Sequence, residues 1–129
     1  MTDQPKVALV TGSSRGIGSA IALALAAAGC DVAVNYRRDE EAANKTGEAI
    51  RALGQRAVCM HGDVRLLEDV EAMADNIRSQ LGIPVILVNN AGVLCDKPAS
   101  FMSDEEWDLV VDTSLKGAFH CIKVFSRPM

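Results

Sequence analysis

The sequence predicts an α/β fold in which helices cover both faces of a parallel sheet. Short apolar segments alternate along the chain with longer segments whose apolar residues recur every three or four positions. Three of these longer segments stop at a glycine, as helices commonly do. One Trp, one Tyr and three Phe are the only aromatic residues among 129, so the core must consist mainly of Ala, Val, Ile and Leu. Such cores are typical of parallel sheets covered by helices.

The first strand and helix show the pattern clearly. An apolar run at 6–10, between Pro5 and Gly12, predicts a strand that is buried on both faces. Apolar residues at helical spacing then predict a helix over 17–28, which ends at Gly29. The first turn between them is therefore a strand-to-helix loop.

The same order repeats twice, and each periodic segment again ends in front of a glycine. Apolar segments predict the strands and periodic segments predict the helices. The predicted strands are 31–36 and 56–61, and the predicted helices are 42–53 and 66–81.

A fourth strand over 84–88 is followed by an irregular stretch that reaches Met102. Ser103 and Glu106 have the spacing of a capping box, which predicts a helix from Asp104 whose apolar stripe runs to Phe125. Strict alternation with short connections implies right-handed crossovers in one parallel sheet. We therefore predict a single domain over residues 1–129.

Composition and charge argue against several function classes. An apolar fraction of 49% and a charged fraction of 23% are those of a soluble globular protein. The stretch Ala20–Cys30 is too short to span a bilayer, and the start of the chain does not resemble a secretory signal, so a cytoplasmic location is expected. A net charge of −4 argues against a nucleic-acid surface. The four cysteines are scattered with no His at ligand spacing, which predicts reduced thiols and no metal site.

The loop Thr11–Gly18, with the sequence Thr-Gly-Ser-Ser-Arg-Gly-Ile-Gly, lies between the first strand and the first helix. Glycines let the backbone approach a phosphate closely, and the free N–H groups of a helix N-terminus attract its charge. Taken alone, the glycines could equally serve a tight turn. Ser19 stands where a Walker loop needs Lys, and the glycine spacing differs from the Gly-x-Gly-x-x-Gly dinucleotide fingerprint.

Two further motifs occur at the ends of later strands: Asp63-Val64 after the third, and Asn89-Asn90-Ala91-Gly92 after the fourth. With the glycine-rich loop, these motifs resemble the short-chain dehydrogenase/reductase family, and most closely its 3-oxoacyl-acyl-carrier-protein reductase group. The resemblance runs from about Lys6 to the end of the chain. It implies a Rossmann-type doubly wound sheet in the order 3-2-1-4, truncated after the fourth strand and its following helix.

The resemblance also implies roles for the residues at matching positions, around the phosphates, beside the adenine and along the rest of the cofactor. These residues are Gly12, Ser14, Arg15, Gly16, Ile17 and Gly18 in the loop, Asp63 and Val64 after the third strand, and Asn90, Ala91 and Gly92 after the fourth. Taken alone, Asp63 could be only a turn residue, and the paired Asn89 and Asn90 could simply satisfy backbone groups at a strand end.

Coenzyme choice depends on the residues that end the second strand. Family members that bind NAD usually carry an acid at the position of Tyr36, and here Arg37 and Arg38 follow Tyr36 directly. With Arg15 from the loop, these guanidiniums could surround a 2′-phosphate, which favours NADP(H). The alternative is that Arg37 and Arg38 are solvated charges that pair with the acids at 39–41.

Catalysis in the family resembles general acid chemistry by a Tyr-x-x-x-Lys pair with a Ser. Tyr36 is the only Tyr and is followed four residues later by Glu40, so that pair is absent from these residues. Ser114 stands at the family's catalytic Asn position and is the catalytic candidate, although it could instead be a small packing residue. The substrate cannot be identified from this half of the family's length.

Two functions therefore remain open. The first is an NADP(H)-dependent oxidoreductase that acts on a carbonyl or secondary alcohol, with 3-oxoacyl thioesters as one substrate class. This chain would be the cofactor-binding half of that enzyme. The second is an inactive NADP(H)-binding or partner-binding module. A homo-oligomer is expected, because the fourth strand would form an uncharged apolar sheet edge. His61 and His120 receive no role.

Overall fold

The computed structural model describes residues 4–129 and contains a four-stranded parallel sheet. The strands are β1 Val7–Val10, β2 Asp31–Tyr36, β3 Ala57–His61 and β4 Ile86–Val88. Their order is β3-β2-β1-β4, with every neighbouring pair parallel. This confirms the predicted Rossmann-type order. Both β3 and β4 are edge strands of the described sheet.

Three helices follow the first three strands, close to their predicted bounds. They are α1 Gly16–Ala27, α2 Glu40–Ala52 and α3 Leu67–Gln80. A short 3₁₀ turn over Ala99–Phe101 then precedes α4 Asp104–Val111, a π-helical segment over Asp112–Lys116, and α5 Gly117–Phe125. No helix within residues 4–129 is long and apolar enough to cross a membrane.

The core consists of two apolar clusters, one on each face of the sheet. Side chains alternate between the faces of a strand, so Leu9 joins the cluster beneath α3 and α5 whereas Val10 joins the cluster beneath α1 and α2. Ala22 and Ala26 allow α1 to approach the sheet closely, and both are buried. Leu9 is completely buried, so its truncation to Ala would cost about 2–5 kcal/mol.

Two helix starts are stabilised by side chains, and the sequence analysis predicts one of them. Ser103 Oγ accepts a hydrogen bond from the Glu106 amide at 3.1 Å, and the Glu106 carboxylate accepts one from the Ser103 amide at 3.0 Å. This confirms the predicted capping box. The start of α2 is capped by Asp39, whose carboxylate accepts from the Ala42 amide at 3.0 Å.

The predicted helix from Asp104 to Phe125 forms, but it contains a π-helical segment that the sequence analysis did not predict. The π-helical segment separates α4 from α5, and its Thr113 hydroxyl donates to the Leu109 carbonyl at 2.6 Å. A wider turn changes the helical phase, so the predicted apolar stripe is divided between two surfaces. Leu115 is 70% exposed, whereas Phe125 is buried.

Candidate functional site

A cleft of about 450 Å³ lies at the carboxyl ends of the strands, where parallel α/β sheets usually bind ligands. The loops after all four strands contribute to it. Its lining includes every residue that the sequence predicts for a cofactor, namely Gly12, Ser14, Arg15, Gly16, Ile17, Gly18, Tyr36, Arg37, Arg38, Asp63, Val64, Asn90, Ala91 and Gly92. Asn35, Asp39, Gly62, Val93 and Thr113 complete the lining.

Two glycines of the loop have different structural reasons to be glycine. Gly16, at the start of α1, has φ +62°, a left-handed conformation that side chains rarely adopt. Gly18 lies beneath the loop, where a Cβ would collide with the Gly12 carbonyl oxygen and would lie 2.5 Å from Asn90 Nδ2. Gly18 therefore permits close packing of α1 against the loop, which agrees with the tight-turn alternative for these glycines.

Hydrogen bonds join the loops after β1 and β4. Thr11 Oγ1 accepts from the backbone amides of Asn90 and Ala91, at 3.0 and 2.9 Å. Asn90 Nδ2 donates to the Gly12 carbonyl at 3.0 Å. The Asn90 side-chain amide is thus used within the protein, which agrees with the structural alternative for this residue, while Asn90 still lines the cleft.

Asn35 is a buried polar residue of β2 whose importance the sequence analysis missed. Its Oδ1 accepts from the Gly12 amide at 3.0 Å, and its Nδ2 donates to the Gly62 carbonyl at 3.1 Å. Its own amide donates to Ser13 Oγ. Asn35 therefore joins the loop after β1 to the loop after β3. The signal available was an Asn inside an otherwise apolar strand, since a buried amide needs partners.

The start of α1 is free of protein caps. Its N-cap residue, Arg15, makes no side-chain capping hydrogen bond, and the first turn contains no acidic residue. The first N–H groups of a helix lack intrahelical acceptors and carry partial positive charge. This end of α1 faces the cleft through Arg15, Gly16 and Ile17, so it can bind an anion there.

Three arginines border the cleft near the ends of β2 and the glycine-rich loop. Arg15, whose side chain is 81% exposed, lies 3.9 Å from the Asp39 carboxylate. Within residues 4–129, neither Arg37 nor Arg38 forms an ion pair. Pairing of Arg37 and Arg38 with the acids at 39–41 is therefore absent from the structure. Their guanidiniums remain available to an anion in the cleft.

Tyr36 lies at the same end of the cleft and packs edge-on against His61, with ring centroids 5.8 Å apart. Partial burial, and then the nearby Glu40 carboxylate, raise the pKa of the Tyr36 hydroxyl above its ordinary value. The phenol therefore stays neutral at physiological pH and does not repel an anionic ligand.

Asp63 lines the cleft and is also engaged locally. Its carboxylate accepts from Arg65 Nη2 at 2.6 Å and from the Arg65 amide at 3.0 Å. Hydrogen bonding from the Arg65 side chain, above all, lowers the pKa of the Asp63 carboxyl below its ordinary value. The turn-residue alternative thus describes part of what Asp63 does, and its carboxylate remains ionised in the cleft wall.

Val64 forms a wall that α5 supports from behind. A Cβ on Gly117 would lie 2.5 Å from Val64 Cγ2, so only glycine allows this contact. His120, which is buried, places its Nδ1 2.7 Å from the Val64 carbonyl oxygen. Because a carbonyl only accepts, Nδ1 carries the proton. The sequence analysis gave His120 no role, whereas the structure shows that it ties α5 to the cleft wall.

Ser114 lies in the π-helical segment and is exposed, so the packing alternative for it is wrong. It is absent from the cleft lining, although a Cβ on Gly92 would lie only 3.6 Å from Ser114 Oγ. Its neighbour Thr113 does line the cleft. The segment thus borders the part of the cleft formed by the loop after β4.

A second cavity, of about 430 Å³, shares Val93 with the cleft and is lined mainly by apolar residues up to Val111. At its edge, Lys97 Nζ lies 2.6 Å from the Glu106 carboxylate, which also accepts from Cys95 Sγ at 3.2 Å. The hydrogen bond from Lys97, foremost, lowers the pKa of Glu106 to about 2. Within residues 4–129 the structure brings together no His, Cys, Asp and Glu cluster suited to a metal ion.

Comparison with known proteins decides the family. The model of the short chain dehydrogenase family matches residues 6–129. The chain belongs to the short-chain dehydrogenase family. This confirms the resemblance inferred from the three motifs.

Curated relatives of this chain include 3-oxoacyl-[acyl-carrier-protein] reductases. The reductase of Staphylococcus aureus strain Mu50 is 47% identical over 118 residues, which are 92% of this chain and 48% of the relative. The reductase of Staphylococcus epidermidis strain RP62A is 45% identical over 124 residues, 96% of this chain and 51% of the relative. The chain spans about half the length of the curated relatives it matches.

Solved structures show the same fold. A crystal structure assigned as a short-chain alcohol dehydrogenase of Sinorhizobium meliloti 1021 matches with a TM-score of 0.90 and 42% identity, over 97% of this chain and 49% of the other. The blue fluorescent protein from a metagenomic library, crystallised in complex with NADPH, matches with a TM-score of 0.90 and 31% identity, over 98% and 52% of the two chains.

Proposed function

We propose that this short-chain dehydrogenase binds NADP(H) in the cleft and forms the coenzyme-binding part of an enzyme that transfers hydride between NADP(H) and a carbonyl or secondary alcohol. The observation that carries the proposal is that Arg37 and Arg38, which form no ion pair within residues 4–129, lie at one end of a cleft that begins at an uncapped helix N-terminus. A dinucleotide needs both features, since its pyrophosphate and its 2′-phosphate are separate anionic groups.

The pyrophosphate would lie against the start of α1. At Gly16 no atom lies within 4 Å of where a Cβ would be, so the backbone there is open, and the first N–H groups of the helix supply donors without a competing acidic side chain. Ser14 and Arg15 line the same part of the cleft. These residues would orient the phosphates, while the rest of the dinucleotide follows the ends of the other strands.

The 2′-phosphate would lie between Arg15, Arg37 and Arg38. A carboxylate at the end of β2 would repel that group, and Tyr36 stands there instead. The adenine would lie beside Asp63 and Val64, and the remaining cofactor along Asn90, Ala91 and Gly92. The NADPH complex of the blue fluorescent protein, which shares the fold, supports a coenzyme of this class.

Bound NADPH would supply a hydride to a carbonyl carbon, and the carbonyl oxygen would then take up a proton to give the alcohol. In the family the proton comes from a Tyr-x-x-x-Lys pair, which these 129 residues do not contain. Thr113, in the π-helical segment, lines the cleft next to the loop after β4, and Ser114 lies beside that loop near Gly92, so these residues would lie nearest the reacting end of the cofactor.

We propose 3-oxoacyl thioesters as the carbonyl substrates, a choice supported by the names of the curated relatives. A chimaera tests this: the present chain replaces the matching half of the S. aureus reductase, and NADPH consumption is followed with a 3-oxoacyl thioester and with a simple ketone of similar size. Because the other half of the chimaera comes from the reductase, preferential consumption with the thioester supports the proposal that the present chain serves as the coenzyme-binding part of an enzyme of this substrate class. A folded chimaera that binds NADPH but reduces neither compound contradicts it.

Coenzyme binding by the chain itself is tested by calorimetric titration with NADPH and NADH. We expect NADPH to bind more tightly by about 1–3 kcal/mol, the scale of charge-assisted hydrogen bonds. Equal affinities would contradict the NADP(H) assignment. A folded chain that binds neither coenzyme would contradict the whole proposal.

A further inference from the structure

A chain of hydroxyl groups connects α2 to the glycine-rich loop from behind. Thr46, which is buried in the middle of α2, places Oγ1 2.9 Å from the Ser14 carbonyl oxygen. The hydroxyl of Ser19, in the first turns of α1, lies 2.9 Å from the same Oγ1 atom. The glycine-rich loop and the start of α1 thus both meet α2 at one threonine.

The direction of these hydrogen bonds follows from their chemistry. A carbonyl oxygen only accepts, so the single hydroxyl proton of Thr46 is donated to Ser14. Thr46 Oγ1 can then only accept from Ser19, whose hydroxyl is the donor. The result is one ordered chain that runs from Ser19 through Thr46 to the Ser14 carbonyl.

This chain fixes the peptide between Ser14 and Arg15. In a trans peptide the C=O and the following N–H point in opposite directions across a rigid plane. Since the Ser14 carbonyl points to α2, the Arg15 N–H points away from α2, and both residues line the cleft. In the sequence, Thr46 appears only as a residue at helical spacing within α2.

We propose that Thr46 is a positioning residue for the pyrophosphate of the dinucleotide, acting through the Ser14–Arg15 peptide rather than by touching the ligand. This rests on the proposed NADP(H) site.

The test compares Thr46→Val, which keeps the shape but removes the hydroxyl, with Thr46→Ser, which keeps the hydroxyl. We expect T46V to weaken NADPH binding by about 3- to 10-fold, the range for one neutral hydrogen bond, and T46S to stay within about twofold of the parent chain. Adenosine 2′-monophosphate lacks the pyrophosphate, so its affinity should be unchanged in both variants. Ser79→Ala is the matched control, because its hydroxyl bonds only within α3.

Each outcome decides the matter. Unchanged NADPH affinity in a folded T46V, or an equal loss for NADPH and adenosine 2′-monophosphate, overturns the positioning role while leaving the NADP(H) site in place. If T46V does not fold, Ser19→Ala decides: NADPH weakened by about 2- to 5-fold with adenosine 2′-monophosphate unchanged supports the role, and no change overturns it. A parent chain that binds no NADPH overturns the proposed function together with this inference.

Discussion

Charge reversal at Arg37 should abolish the preference for NADPH over NADH. Arg37 is half-buried, lines the cleft and forms no ion pair within residues 4–129. Its guanidinium therefore has no ion pair to break when it binds a 2′-phosphate, although the charge of Arg37 also helps to lower the pKa of the Asp63 carboxyl. Arg37→Asp removes that attraction and adds a carboxylate close to where NAD-binding family members carry an acid.

The expected loss of NADPH affinity follows from how exposed each arginine side chain is. A hydrogen bond to a charged group contributes about 1.5–3 kcal/mol, whereas a solvent-exposed ion pair contributes about 0–1 kcal/mol. The side chain of Arg15 is 81% exposed and Arg38 is also exposed, so each should contribute at the low end. Arg37 should supply most of the difference in binding free energy between NADPH and NADH. A loss of about 1.4 kcal/mol corresponds to a tenfold weaker affinity for NADPH.

The assay is calorimetric titration of both coenzymes against the parent chain and Arg37→Asp at low and high salt. NADPH should weaken by about 10- to 100-fold in the variant, with NADH changed much less. The preference of the parent chain should shrink as salt screens exposed charges over about 8–10 Å. Arg78→Asp is the control, since Arg78 lies on α3 outside the cleft, is exposed, and undergoes the same change of charge.

Two results would refute this reasoning. If Arg78→Asp weakens NADPH as much as Arg37→Asp, the effect is one of net charge rather than of a phosphate site. If Arg37→Asp weakens NADH and NADPH equally, Arg37 supports the cleft but does not recognise the 2′-phosphate.

Three further predictions follow from the same structure. The 129-residue chain alone should show negligible ketone-dependent NADPH oxidation, because a positioned acid is worth about 10²–10⁴-fold in rate; an ordinary enzymatic rate from a chain of verified mass would contradict this. The chain should self-associate through the apolar edge of β4. Ile86→Lys should therefore reduce the mass measured by light-scattering chromatography more than Glu48→Lys, which alters an exposed helix position. A monomeric parent chain would contradict this prediction. The pKa of Glu106 is lowered to about 2, so its ion pair with Lys97 stabilises the fold fully above about pH 4.5 and is lost as the pH falls toward 2. Fluorescence of the single tryptophan, Trp107, should change over that range in the parent chain and not in Glu106→Gln, and an identical transition in both would disprove the assignment.

The parallel sheet and the cleft were predictable from repeated local patterns, whereas the strand order 3-2-1-4 was predicted from the resemblance to the short-chain dehydrogenase/reductase family. Four apolar segments, each followed by a periodic one, leave few topologies once crossovers are right-handed. Parallel strands bring their carboxyl ends to one edge, so motifs as far apart as Gly12 and Asn90 had to meet there. That geometry is why each predicted cofactor residue lines the same cleft.

The supports behind the cleft were not predictable, because each is a single polar residue with a distant partner. Thr46 acts on Ser14, 32 positions earlier, and His120 on Val64, 56 positions earlier. At helical spacing, such residues are indistinguishable from ordinary core positions. The π-helical segment was not predictable either, because it spans only the five residues Asp112–Lys116. A change of helical phase over so few residues leaves no recognisable pattern of apolar positions in the sequence.

The cleft divides its polar groups into those used by the protein and those left for a ligand. The amides of Asn35 and Asn90 and the carboxylate of Asp63 are engaged with other loops or with Arg65. The start of α1, Arg37 and Arg38 have no such partners within residues 4–129. In the proposed complex, the polar groups bonded within the protein fix the shape of the cleft, and the groups without protein partners bind the phosphates and so determine the coenzyme preference. Coenzyme preference can therefore change through the arginines without disturbing the hydrogen bonds that hold the loops together.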